Sequence, residues 1–203
     1  MINKIPLDEM INCKDCLDEE NHCTIHSFYH TDLRKLAHNL INVSLKNLPV
    51  RKKHTEAVAK RMEELCGTTP SFVKSYCYSI GLLHDIGYGY IKTGHHAIDG
   101  ALYLQTTVLS DLAPYVAWHS TSKYEAQARN LTIDFDKPLS KYINDQLWYA
   151  DFTTSPEGEL VTVSERLAEI RTRYSPDSQV IEALNNSMND MVEAFAKFEQ
   201  QNT

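Results

Sequence analysis

From residue 32 to near the C-terminus, apolar residues recur at helical spacing and nowhere alternate as a strand requires. Leu33, Leu36, Ala37, Leu40, Ile41, Ser44 and Leu45 share one face of a helix over 32–47. His54, Ala57, Val58, Arg61, Met62 and Leu65 share another over 51–66. Val73, Tyr76, Cys77, Ile80 and His84 follow on a helix begun at Thr69-Pro70. A chain patterned with this period buries its apolar faces helix against helix, because strand side chains change face at every residue. Seven glycines and seven prolines in 203 residues leave few turns for a sandwich or barrel. The expected fold class is all-α, a compact bundle of helices.

Local punctuation predicts the boundaries. Thr31 reads as an N-cap and Pro49 as a stop for the first helix, and Gly67 as the residue that closes the second. Gly87 and Gly89 end the third. Further helices are expected over 95–108, 111–119 and 123–130, then from Pro138 to about Asp151. After a loop over 152–161, Thr162 and Glu165 form a capping box before Ser164–Tyr174. Ser175-Pro176 opens a last helix to about Glu199. Residues 1–26 differ: they are acidic, hold three of the five cysteines and show no periodicity. They read as an N-terminal extension to a helical domain over 27–203.

No apolar run approaches the ~18 residues of a spanning helix, and the opening MINKIPLDEM has acids and a proline where a secretion signal needs an apolar stretch. The expected location is cytoplasmic, with no membrane partner. The net charge of −7, from 20 basic and 27 acidic residues, lacks the basic footprint of a nucleic-acid binder. Arg51-Lys52-Lys53 is the one dense basic run and reads either as a solvated first turn or as a place that captures a small anion. Cys66 and Cys77 fall in apolar helical patterns and read as core thiols. Cys13, Cys16, Cys23 and His26 offer four ligands in a C-x2-C, C-x2-H arrangement, with His22 as an alternative. They would either hold a structural zinc ion or remain reduced thiols in an irregular segment.

Nine histidines are many for this length, and their placement is informative. His54 continues the face of Val58, Met62 and Leu65, His84 that of Cys77 and Ile80, and Asp151 that of Ile143 and Leu147. His119 lies three residues beyond Val116. Imidazole or carboxylate on an apolar face is costly unless paired or metal-bound. Several such groups on separate helices suggest one shared site. His54, His84, Asp85, His96, His119 and Asp151 together match what divalent transition metals prefer. His30, His38 and His95 read as ordinary core or cleft histidines.

His54, then His84-Asp85 in LLHDIGYGY, then Asp151, resembles the H…HD…D signature of the HD-domain superfamily of metal-dependent phosphohydrolases. The likeness covers residues 30–200 and includes HDIGYGYIKTGHHAIDGALYL, AWHSTSKYEAQARNL and LWYADFTTSPEGELVTVSERLAEIRTRYSPD, which are similar to small bacterial members. It implies that His54, His84, Asp85 and Asp151 hold a first metal ion, with Asp85 shared. His96 and His119 would hold a second, and His84 and Asp85 would stand at the catalytic centre. Iron, manganese, cobalt, nickel and magnesium are all compatible. The implied reaction is hydrolysis of a phosphate ester of a small metabolite or nucleotide by a metal-activated hydroxide. Trp118 stands where many members have a second adjacent histidine, and Tyr88 where many have a substrate-contacting lysine. Substrate contacts are expected from Tyr88, Lys123 and Arg129, with Lys92 and Arg51 as further positive charges and Glu125 as a group orienting a ligand histidine. The same ligand set in HD-fold relatives such as myo-inositol oxygenase serves di-iron oxygen chemistry, and a non-catalytic metal-bound binding module is a third reading.

Overall fold

The computed structural model describes residues 24–199, with side chains from residue 33 onward. Cys13, Cys16, Cys23 and the side chain of His26 lie outside the described residues, as does nearly all of the 1–26 extension. The described chain forms nine α-helices: α1 Thr24–Ser44, α2 Pro49–Leu65, α3 Ser71–Leu83, α4 His96–Gln105, α5 Ala113–Ala117, α6 Ser122–Ala128, α7 Lys141–Phe152, α8 Val163–Arg173 and α9 Gln179–Glu199. Tight 3-10 turns occupy Ile86–Gly89 and Ser110–Leu112. Among the described residues the only β pairing is an isolated bridge between Thr154 and Leu160, which pinches the loop before α8. No described helix is long and apolar enough to cross a membrane. The fold is all-α, as the periodicity requires.

The core forms around α3. Phe72, Ser75, Cys77, Tyr78, Ser79, Ile80, Gly81, Leu82 and Leu83 are all buried, so this helix is enclosed on nearly every side. It packs on α1 and α2, while α7 touches α2 and α3 from the other side and α9 covers α6 and α7. Gly81 permits a close crossing of α3 over α2: a Cβ there would stand 2.9 Å from the Ala59 Cα. Cys66 and Cys77 are buried free thiols. Gln146 donates from its amide to the Met62 carbonyl at 2.8 Å, joining α7 to the end of α2.

Several boundaries differ from the sequence expectation, each for a local reason. α1 begins at Thr24, before both Thr31 and residue 27, in a segment with no glycine or proline to stop it. Pro49 does not end α1; it is the first residue of α2, where its missing N–H costs nothing. Pro138 and Pro176 do not open helices. Ser140 and Ser178 do so, each two residues later, accepting from the Ile143 and Ile181 amides at 3.2 Å and 3.3 Å. α3 stops at Leu83, so His84 is its C-cap residue rather than part of its face. The Thr162–Glu165 capping box forms as read, and Gly67 takes the left-handed conformation with φ +56°.

Candidate metal centre

The site forms where helix ends meet. α2 contributes Arg51 and, one turn on, His54; the end of α3 contributes His84 and Asp85; α4 opens with His96; His119 follows α5; and Asp151 lies in the last turn of α7. Side chains at helix ends splay beyond their own cylinder, so several helices can address one point. A single close approach makes this possible. A Cβ on Gly87 would fall 1.9 Å from the His96 carbonyl oxygen and 2.4 Å from the Gly100 amide nitrogen. Only glycine after His84-Asp85-Ile86 lets the start of α4 come this near.

Three of these histidines are oriented by main-chain carbonyls. His84 Nδ1 lies 2.7 Å from the Gly81 oxygen, His119 Nδ1 2.6 Å from the Val116 oxygen, and His54 Nδ1 2.9 Å from the Ser155 oxygen. A carbonyl only accepts, so each Nδ1 carries a proton, and each ring in its neutral form presents an Nε2 lone pair inward. His54 Nε2 stands 3.1 Å from Asp151 Oδ1. His84 Nε2 is buried with no hydrogen-bond partner. His96 and His119 bring their Nε2 atoms within 3.2 Å of one another. Lone pairs facing carboxylates and each other call for a cation.

Asp85 sits between two histidine groups, and its two oxygens divide them. Oδ1 faces His96 at 3.4 Å and His119 at 3.9 Å; Oδ2 faces His84 at 3.4 Å. His54, His84 and Asp85 form one cluster of compatible ligand atoms, and Asp85, His96 and His119 a second. Asp151 adds its oxygen beside His54 and lies 4.0 Å from His84 Nε2. Its other oxygen accepts from the Ser120 hydroxyl at 2.5 Å. Ser120 holds this position with φ +50°, a conformation disfavoured for any side chain but glycine's hydrogen.

The electrostatics follow from burial and charge. Burial alone would raise Asp85, but the Arg51 guanidinium, 2.6 Å from Oδ2, and His84 hold its carboxyl well below the usual range. Burial raises Asp151 too, and the His54 ring 3.1 Å away, with His84 and Arg166 nearby, draws it back below the ordinary carboxylate value. Burial lowers His84, yet Asp85 and Asp151 bring it above the ordinary imidazole value. For His96 and His119 burial dominates and keeps both rings neutral and low. Ionised carboxylates and neutral imidazoles are the forms that ligate metal, so His96 and His119 are ready as ligands, whereas His84 would give up its second proton on binding.

Sequence reasoning located these six groups but not their support. Tyr88 stacks on His96 with centroids 4.5 Å apart, and Arg51 covers Tyr88 from 4.1 Å. Where the resemblance led to the expectation of a lysine or a substrate contact, this chain has an aromatic ring stacked on His96. Arg51 is turned into the site, whereas Lys52 pairs with Glu56 at 3.8 Å and Lys53 is exposed. Trp118 points away from the centre, its indole N–H on the Phe135 carbonyl and Lys137 over its ring. Lys123 is exposed beside Asp190 in a separate groove, and Lys92 is exposed too. Arg129 lines the cavity but is held by Glu125 at 2.6 Å, so Glu125 orients an arginine rather than a ligand histidine. His95 is fully buried, caps α4 by accepting from the Ile98 amide, and bonds the Ser122 carbonyl. Asp99 was not singled out. It takes the amides of Lys92, Thr93 and Gly94 and so shapes the loop ahead of α4. The signal was an acid three residues into a helix that follows a glycine loop.

A cavity of about 360 Å³ opens over the centre, lined by Arg51, Tyr88, His96, His119, Asp151 and residues of α8. That volume suits a small molecule. A family model described as the HD domain matches residues 51–170. The chain belongs to the HD-domain family. The HD match begins at Arg51 and ends at Ile170, so it spans all six convergent groups and the cavity's main walls. HD-domain proteins are mostly metal-dependent hydrolases, and the buried His and Asp groups here are compatible with divalent metal. Comparison with curated proteins gives no match, and comparison with solved structures gives none either.

Proposed function

We propose that this HD-domain protein is a metal-dependent phosphohydrolase that cleaves a small phosphate ester, a phosphorylated metabolite or nucleotide. One observation carries the reading: the two oxygens of Asp85 face two different histidine groups, with a buried, partnerless His84 Nε2 on one side. His54, His84, Asp85 and Asp151 would hold one divalent ion, and Asp85, His96 and His119 a second. Ions held there would supply an activated water near neutral pH and neutralise phosphoryl oxygens. The protein's own groups do the rest. Main-chain carbonyls fix three imidazoles in one tautomer, Ser120 holds the second oxygen of Asp151, and Tyr88 holds the His96 plane. Arg51, on the cavity wall, places a guanidinium where an anionic substrate must enter. Two hydroxyls on this wall are already engaged: Ser122 spends its proton on the Ala117 carbonyl and Ser120 on Asp151. Lys123, exposed in the neighbouring groove, fits a peripheral role at most, and Arg129 a positioning one.

The test is phosphate release from a panel of phosphomonoesters and nucleotides by protein loaded with manganese, cobalt or nickel under argon. Turnover is expected without dioxygen, and Asp85→Asn should lower kcat by at least about a thousandfold, as loss of a principal electrostatic group does. In ¹⁸O-water the label should appear in phosphate. Turnover that needs iron and dioxygen would replace this reading with the oxygenase chemistry of HD-fold relatives. Metal-loaded protein that binds phosphoesters and releases nothing would make it a binding module.

A further inference from the structure

Four arginines line the cavity, and three sets of contacts account for their charges differently. Arg51 is spent on Asp85, and Arg129 on Glu125. On α8 the balance is uneven: Arg166 and Arg173 share one carboxylate, Glu169, each taking a different oxygen. One positive charge on that wall is therefore left over. The surplus is best placed on Arg166. It is only 7% exposed, it lines the cavity, and its charge is felt by Asp151. It donates to Glu169 through Nη1, and its Nε is buried with no hydrogen-bond partner. A buried guanidinium with an unspent donor is expensive unless a ligand completes it. The planar fork suits a carboxylate or phosphate in particular.

We infer that Arg166, with Arg173 behind it, is a second anion-recognition point of the cavity, so that the preferred substrate carries a further carboxylate or phosphate a few bonds from the group held at the metal centre. The inference rests on the phosphohydrolase reading for what occupies the metal end. It adds the specificity determinant at the other. Arg173, two turns further along α8, maintains the surplus by competing for Glu169. Arg166 is then a binding residue, and Arg173 a positioning one.

Titration calorimetry of the metal-loaded protein with a series of ω-phosphonoalkanoates, each against the alkylphosphonate of equal length, separates this from the reading beneath it. At the matching chain length the added carboxylate should tighten binding about tenfold in the wild type. Arg166→Gln should erase that advantage while leaving alkylphosphonate affinity and metal stoichiometry unchanged. Arg166→Lys should retain part of it, and the more exposed Arg173→Gln should reduce it without risk to the core. No carboxylate advantage at any length, including no binding of either probe, overturns the inference. So does an Arg166→Gln protein that loses metal or weakens both probes equally, because Arg166 would then merely hold Asp151. Failure of phosphate release, by contrast, removes the hydrolase reading and leaves the carboxylate advantage to be read on its own.

Discussion

At the scale of single residues, the centre is a problem of proton bookkeeping solved by the backbone. Three imidazoles give their Nδ1 protons to carbonyls of residues 81, 116 and 155, and only then can their Nε2 atoms act together. Ser120 does the same for Asp151, at the cost of a left-handed backbone. Ser120→Gly removes the hydroxyl and relieves the strain at once. Metal affinity should fall about tenfold, as for other groups that orient a ligand, with the thermal midpoint unchanged or higher; calorimetric metal titration and a melting curve check both. His95 makes the opposite case. It looks like the expendable neighbour of His96, yet it caps α4 from a fully buried position and lies parallel to the His96 ring at 5.8 Å. His95→Ala should cost about 2 kcal/mol of stability, a lost cap plus an orphaned Ser122 carbonyl, read as a lower denaturation midpoint in urea.

At the scale of elements, the decisive contact is between the turn Ile86–Gly89 and its neighbours. Gly87 lies against the start of α4, and Gly89 lies against the end of α1, where a Cβ would come within 2.1 Å of the Ser44 oxygen. Both glycines are required by crowding. Gly87→Ala must push α4, and with it His96, away from Asp85. It should destabilise the fold by about 3 kcal/mol, the upper range of overpacking, and halve the metal stoichiometry, since His96 belongs to only one of the two ligand groups. A folded Gly87→Ala protein with full metal content would show that the approach is not needed. The helix starts teach a related point. Serine side chains at 140 and 178 decided where α7 and α9 begin, although prolines nearby suggested earlier starts. A satisfied amide outweighs a favourable φ.

At the scale of the molecule, six ionisable groups from five helices meet at one place, and a cation bound among them would tie the bundle together. Without one, two buried carboxylates answer to Arg51 and to whatever proton the histidines carry. Metal that binds only the folded chain should stabilise it: free ion at a hundred times Kd adds about 2.7 kcal/mol, or roughly 5–10 °C in a chain of this length. A chelator should reverse the shift. A metal-independent midpoint would argue against coordination by these residues.

The helical period alone determined the fold class, because apolar faces repeating every three to four residues admit no sheet. The composition of those faces also betrayed the site: imidazoles and carboxylates stand where the pattern calls for leucine, and burying them without a partner is too costly to be accidental. Even Gly87 was visible, as a stop signal, though not for its real reason. What only the tertiary structure decided is everything that depends on which helix ends meet. Main-chain carbonyls leave no trace in side-chain sequence, so the groups that orient His54, His84 and His119 could not be read. Arg51, Arg129 and Lys123 look alike as letters. Their surroundings made one a partner of Asp85, one a partner of Glu125 and one a solvent-facing charge. Arg166 looked like an ordinary surface residue of an amphipathic helix until burial and a shared Glu169 left it with a donor to spare. Charge and hydrogen-bond balance are properties of neighbours in space, and a sequence lists neighbours only along the chain.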